Sequence, residues 1–113
     1  MASVIQSAVL SPWVCSEKYY EFGYFYKALN SVSGDLVAHR PLNEHSCLFF
    51  FGDVSGHGTH SALAMMALQA YFYQMRLATE KIQPHEIAHE ISNFLSSTLH
   101  GIVYVCGMIG YWD

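Results

Sequence analysis

Two aspartates, Asp35 and Asp53, flank a segment rich in turn formers, Pro41-Leu42-Asn43-Glu44-His45. If the flanking residues pair as a simple hairpin centred on Glu44, positions 35 and 53 stand directly opposite, each nine residues from the centre. Opposed side chains in an antiparallel pair have Cβ atoms about 4.5–5.5 Å apart, and like charges there repel. A divalent cation removes the repulsion, because hard ions such as magnesium and manganese take carboxylate oxygens. The reading depends on register, since one bulge would move the acids out of line. The plainer alternative has Asp35 in a Gly-Asp turn and Asp53 at a strand end, each solvated.

Glycines beside both acids favour the metal reading. Ser33-Gly34-Asp35 and Gly52-Asp53-Val54-Ser55-Gly56-His57-Gly58 let the backbone approach an ion or a phosphate closely. The second run leads into a predicted helix, whose N-terminus favours anions. No Lys-Ser or Lys-Thr follows to make a P-loop, and Gly52-x-x-Ser55-Gly56 lacks the spacing of a nucleophile elbow. Ser55 as a nucleophile is the weaker reading.

A second chemistry is written in His85-Glu86-Ile87-Ala88-His89, a literal H-E-x-x-H that puts both histidines on one face of a predicted helix. A zinc metallopeptidase is therefore the competing enzyme hypothesis. Its third ligand is missing: position 92 is Ser, position 95 is Leu, and no Glu follows. His100 lies about three turns from His89, roughly 16 Å along the axis. His57 and His60 are read as surface or hydrogen-bonded residues rather than ligands.

These groups need elements to position them. Tyr19 to Ala28 alternates as a strand, with Tyr20, Phe22, Tyr24 and Tyr26 on the face expected to be buried. Leu36–Arg40 and Cys47–Val54 are the hairpin strands. From Ser61 to about Thr79 apolar residues recur at helical spacing but on more than one face, so this helix needs cover on several sides. A second helix should begin at Pro84 and stop at Gly101, with Ile87, Ile91, Leu95 and Leu99 on one stripe. Ile102 to Tyr111 reads as a last strand. An apolar strand at that point expects neighbours, so the domain is expected to be incomplete in this chain.

Composition bounds the rest. With 113 residues and 52% hydrophobic content, the chain can bury one core, whole or in part. Nine acids against five bases, and no Lys or Arg run, argue against nucleic acid as a partner. Cys15, Cys47 and Cys106 are widely spaced and odd in number, which fits reduced thiols and a cytoplasmic location. Val54 to Met75 lacks Asp, Glu, Lys and Arg, yet its Ser, Thr, His and Gln residues suit a loop and buried helix better than a membrane span.

Gly52-Asp53-Val54-Ser55-Gly56-His57-Gly58, followed by Ser61-Ala62-Leu63-Ala64-Met65, resembles the signature of bacterial PPM-type serine/threonine phosphatases of the sporulation stage II protein E-like, sigma-factor-regulating group. Three further pieces fall in that family's order. Ile5-Gln6-x-x-Val9-Leu10-Ser11 looks like the segment entering from an upstream sensor, Val32-Ser33-Gly34-Asp35 like the first metal motif, and Pro84-x-Glu86-Ile87 with Ile91 and Asn93 like the second helix. The resemblance implies an α+β fold, a β-sandwich flanked by helices. Residues 1–18 would be the entry segment and 19–113 the N-terminal half of the phosphatase domain.

The resemblance further implies two Mn or Mg ions, with Asp53 bridging them, Asp35 serving one directly or through water, and the Val54 carbonyl completing that side. The implied reaction is hydrolysis of phosphoserine or phosphothreonine on a regulatory protein by a metal-activated water. An anti-sigma-factor antagonist would be such a substrate, an upstream sensor the regulatory partner, and a homodimer is compatible with the pattern. The family's later aspartates have no counterpart here, since past Glu90 the one acid is Asp113, and Cys106 stands where the family often has Thr. The lone chain is therefore expected to be inactive, and a non-catalytic binding module on a decayed phosphatase fold stays open. In the family the helices corresponding to 61–79 and 84–99 act as a switch; a plain core role for the first is the simpler reading.

Overall fold

The computed structural model describes residues 1–9, 14–28, 32–77 and 82–113. Along the chain run α1 (Ala2–Val9), β1 (Val14–Ser16), β2 (Glu21–Gly23), β3 (Asp35–Pro41), β4 (Cys47–Val54), α2 (Thr59–Gln74), α3 (Pro84–Ser97) and β5 (Val105–Trp112). The class is α+β, with a two-stranded sheet β1-β2 and a three-stranded sheet β3-β4-β5, both antiparallel.

Alternation along β3 and β4 decides the two faces of the larger sheet. Leu36, Ala38, Leu48, Phe50 and Val54 are buried on one side, where they form a single core with Met65, Leu68 and Phe72 of α2 and Ile87 and Ile91 of α3. The opposite side carries Asp35, His39, Phe51 and Asp53. Part of it lies under β2: the Phe22 ring stacks on His39 at 4.5 Å and on Phe51 at 5.9 Å, and Tyr20 shares a hydrogen bond with His39 Nε2 at 3.1 Å.

The expected strand over Tyr19–Ala28 forms a ladder only at Glu21–Gly23, because its partner β1 is three residues long. Its alternation nevertheless persists: Tyr20, Phe22, Tyr24 and Tyr26 are half-buried while Glu21, Gly23, Phe25 and Lys27 are exposed. Helix α2 begins at Thr59, two residues earlier than expected, and gives way at an extended Met75. The expected end near Thr79 falls outside the described residues. The Arg40 guanidinium closes this terminus, donating to the Phe72 carbonyl at 3.0 Å and the Met75 carbonyl at 2.8 Å. A cation there satisfies orphan carbonyls and complements the negative end of the helix dipole.

Much of the apolar surface of α2 is covered within the chain, by β3, β4, α1 and α3, while Leu63 stays exposed. Helix α3 starts at Pro84 as the sequence predicts but ends at Ser97, short of Leu99. His100 and Gly101 then take φ of 53° and 66°, and the Gly101 N–H reaches the Leu95 carbonyl at 3.0 Å. Strand β5 starts three residues later than expected. Helix α1 and strand β1 are not anticipated by the apolar patterning, being short and at the margin of the core. Among the described residues no helix is long and apolar enough to cross a membrane.

His39 is 3% exposed, and burial lowers its pKa from 6.5, with Glu17 opposing that shift. A folded-state pKa below the unfolded value means that the unfolded chain binds the proton more readily. The stabilising contribution of neutral His39 is thus complete above about pH 6.5 and is lost as pH falls toward the folded-state value. Urea unfolding at pH 7.5 and 5.5 should show the wild type losing stability on acidification, with a slope of at most about 1.4 kcal/mol per pH unit from this one proton. His39→Gln should flatten that part of the dependence.

Candidate metal centre

Asn43 closes the β3–β4 hairpin. Its Oδ1 accepts the N–H groups of His45 at 2.8 Å and Ser46 at 3.0 Å, and the Leu42 N–H reaches the Ser46 carbonyl at 3.0 Å. From there the strands pair without a bulge, Pro41 opposite Cys47 at one end and Asp35 opposite Asp53 at the other. This is the register expected for a hairpin centred on Glu44. The Val54 N–H donates to the Gly34 carbonyl at 3.1 Å, so 34 and 54 form the hydrogen-bonded pair. Asp35 and Asp53 are then the adjacent non-hydrogen-bonded pair, the kind whose side chains come closest. Both are exposed. Strand β5 extends the row by placing Cys106 opposite Asp53.

The glycines have separate uses. A Cβ on Gly34 would lie 3.0 Å from the Val54 carbonyl oxygen and 3.1 Å from Ser61 Cβ, so glycine lets the start of β3 approach the end of β4 and the first turn of α2. Gly56 and Gly58 take φ of 88° and 76°, a left-handed geometry that turns the chain from β4 into α2 at little steric cost. Ser55 anchors the turn: its N–H donates to the Tyr104 carbonyl at 2.8 Å and its Oγ accepts the Tyr104 N–H at 3.0 Å. The hydroxyl is thus part of the join to β5.

Asp35 is held from several directions. Ser33 Oγ accepts the Asp35 N–H at 3.1 Å and donates to Asp35 Oδ2 at 3.2 Å. Tyr26 donates its hydroxyl to the Asp35 carbonyl at 3.1 Å. Burial raises the pKa of that phenol, the Ser33 hydrogen bond lowers it and the Asp35 charge raises it again, so Tyr26 stays a protonated donor at neutral pH. Ser33 is itself clamped by Gln6 of α1, whose Nε2 donates to the Ser33 carbonyl at 2.6 Å while its Oε1 accepts the Ser33 N–H at 2.9 Å. The sequence offers little signal for Gln6: it is one polar residue on a short helix, and only its 3% exposure in the fold sets it apart.

Two carboxylates and the Val54 carbonyl are hard oxygen donors, the set that magnesium and manganese prefer. The residues fit such ions as one side of a site. Among the described residues no group of three His, Cys, Asp or Glu could hold an ion by itself.

The other candidates stand apart. His85, Glu86 and His89 are exposed on α3, far along the chain from both aspartates and without a third ligand among the described residues. A concavity of about 600 Å³ between α3 and β5, lined by Phe50, Ile91, Leu95, Val105 and Ile109, opens on the helical face of the sheet. The carboxylates project from the other face. His57 and His60 are exposed, the His60 ring filling the space beside Gly56.

Opposed carboxylates on an α+β scaffold, joined through a glycine-rich turn to a helix, are consistent with an incomplete PPM-type phosphatase domain, the class that the sequence resembles. Residues 43–113 match the model of the family described as Stage II sporulation protein E (SpoIIE), and the chain belongs to that family. It is 34% identical over 73 residues to the phosphoserine phosphatase RsbP of Bacillus subtilis (strain 168), a match covering 65% of this chain and 18% of that protein. The chain thus spans under a fifth of that relative's length. The family match contains Asp53, Val54 and the glycine-rich turn; Asp35 lies before it and is tied to the site by its register with Asp53.

The facing carboxylates give substitutions opposite effects with and without metal. In metal-free buffer Asp53→Asn should stabilise the fold by about a few tenths of a kcal/mol, because it removes a like-charge cross-strand pair. Added Mn²⁺ should raise the melting temperature of the wild type but not that of Asp35→Asn or Asp53→Asn, as read by thermal unfolding followed by circular dichroism.

Proposed function

We propose that this chain supplies one side of a binuclear Mn or Mg centre in a protein serine/threonine phosphatase that acts on a regulatory phosphoprotein. The observation that carries the reading is the opposition of Asp35 and Asp53 across β3 and β4, with Asp53 inside the family-matched segment. Asp53, Asp35 and the Val54 carbonyl are the groups that would hold the ions on this side, Asp35 directly or through water. When bound, the ions would lower the pKa of a water and neutralise charge on the phosphoryl oxygens.

The chain's own residues prepare that chemistry. Ser33 and Tyr26 hold Asp35 at the start of β3, while Ser55 fixes the turn after Asp53 to β5. Phosphoserine is the favoured substrate class because the similar RsbP is named a phosphoserine phosphatase. Cys15, Cys47 and Cys106, none of them in a disulfide, support work in a reducing, cytoplasmic compartment.

The test is phosphate release from a phosphoserine peptide with Mn²⁺, Mg²⁺ or chelator, using the gene product with any sequence encoded beyond Asp113. Activity should require the metal and fall by at least about a hundredfold in Asp53→Asn, since removing a mere outer-shell partner already costs about 10–100-fold. Hydrolysis that survives this substitution would overturn the assignment, and hydrolysis lost instead in His85→Ala would favour the zinc reading.

A further inference from the structure

Helix α1 reaches the candidate metal centre through an unbroken set of hydrogen bonds. Gln6 is 3% exposed and grips both backbone groups of Ser33, accepting from its N–H and donating to its carbonyl. Ser33 then uses its hydroxyl on both the N–H and the carboxylate of Asp35. A buried amide that spends one donor and one acceptor on a single distant residue fixes that residue in position and in orientation. Two residues further on, the object so fixed is a carboxylate facing another carboxylate. The link joins residues 27 apart in sequence, so it is a product of the fold rather than of local turn geometry.

The same helix also packs on α2, whose first turn supplies Ser61 against Gly34. Displacement of α1 would therefore disturb the Ser33-Gly34-Asp35 segment from two sides. We propose that Gln6 is a positioning residue for Asp35 and, through Ser33, sets how strongly the Asp35–Asp53 pair takes a divalent ion. The proposal rests on the reading of Asp35 and Asp53 as metal-holding residues. Gln6 touches neither ion nor substrate in this scheme; it acts through Ser33.

The experiment titrates Mn²⁺ into the full 113-residue chain and follows paramagnetic broadening of the Gly34, Asp35 and Val54 amide signals, with circular dichroism to confirm folding. Gln6→Ala should raise the midpoint roughly tenfold, the low end of what outer-shell partners contribute. Ser33→Ala keeps the backbone bonds to Gln6 but loses the hydroxyl, and it should weaken Mn²⁺ by a similar factor; it covers the case in which Gln6→Ala fails to fold.

Gln6→Glu supplies a signature that a merely structural role would not give. An ionised carboxylate can accept from the Ser33 N–H but cannot donate to its carbonyl, whereas a protonated one can do both. Relative to wild type at the same pH, its midpoint should be raised at pH 7.5 and should converge as the introduced buried carboxyl takes up its proton. If Asp35→Asn and Asp53→Asn abolish the broadening while folded Gln6→Ala and Ser33→Ala leave the midpoint unchanged, the positioning role is wrong and the metal reading stands. If neither aspartate substitution changes the broadening, both fall together.

Discussion

Asn43 takes the N–H groups of His45 and Ser46 onto its side chain, and the geometry at the far end of the β3–β4 ribbon follows from that closure. Side chains alternate strictly along paired strands, so a slip of one residue would turn the slipped strand's side chains to the opposite face. A slipped β3 would take Leu36 and Ala38 out of the core and carry Asp35 into it, and a slipped β4 would do the same with Leu48, Phe50 and Asp53. The hydrophobic demand of one face thus fixes the placement of two charges on the other. The repulsion between Asp35 and Asp53 is small beside the burial that enforces it, since each large aliphatic or aromatic side chain removed from water contributes about 1.5–3 kcal/mol.

The end of a sheet is a suitable place for such a pair. Strand pairing supplies rigidity up to residues 35 and 53, while the glycine-rich turn beyond Asp53 lets the chain reverse into α2 without crowding the carboxylates. Ser55 ties that turn to Tyr104, and Gln6 ties the opposite side to α1. The two acids are consequently braced from different parts of the chain. Arg40 plays a comparable part at the other end of α2, holding the Phe72 and Met75 carbonyls and so fixing the helix that covers the core face.

Sequence similarity and geometry cover different parts of the site and meet at Asp53. The family match runs over β4, α2, α3 and β5, which places the glycine-rich motif but omits β3. Strand pairing brings in Asp35. The H-E-x-x-H pattern illustrates the converse: His85 and His89 have the spacing for a ligand pair on one helix face, but the fold gives them exposed positions and no third ligand among the described residues. Helical spacing is a local property, whereas a metal site needs donors from separate elements.

The sequence by itself determined the β3–β4 hairpin, its register, the glycine-rich turn and the start of α3 at Pro84, because each rests on local rules: alternation, turn chemistry and the fixed φ of proline. It also carried the family signature around Asp53. Only the tertiary structure decided where α2 stops, since Arg40 closes that terminus from another strand, and how far the Tyr19–Ala28 segment pairs, since a ladder needs a partner of equal length. The clamp of Gln6 on Ser33 belongs to the same category. A lone glutamine in a short helix has no local pattern to mark it, and its meaning appears once folding has buried it against a residue 27 positions away.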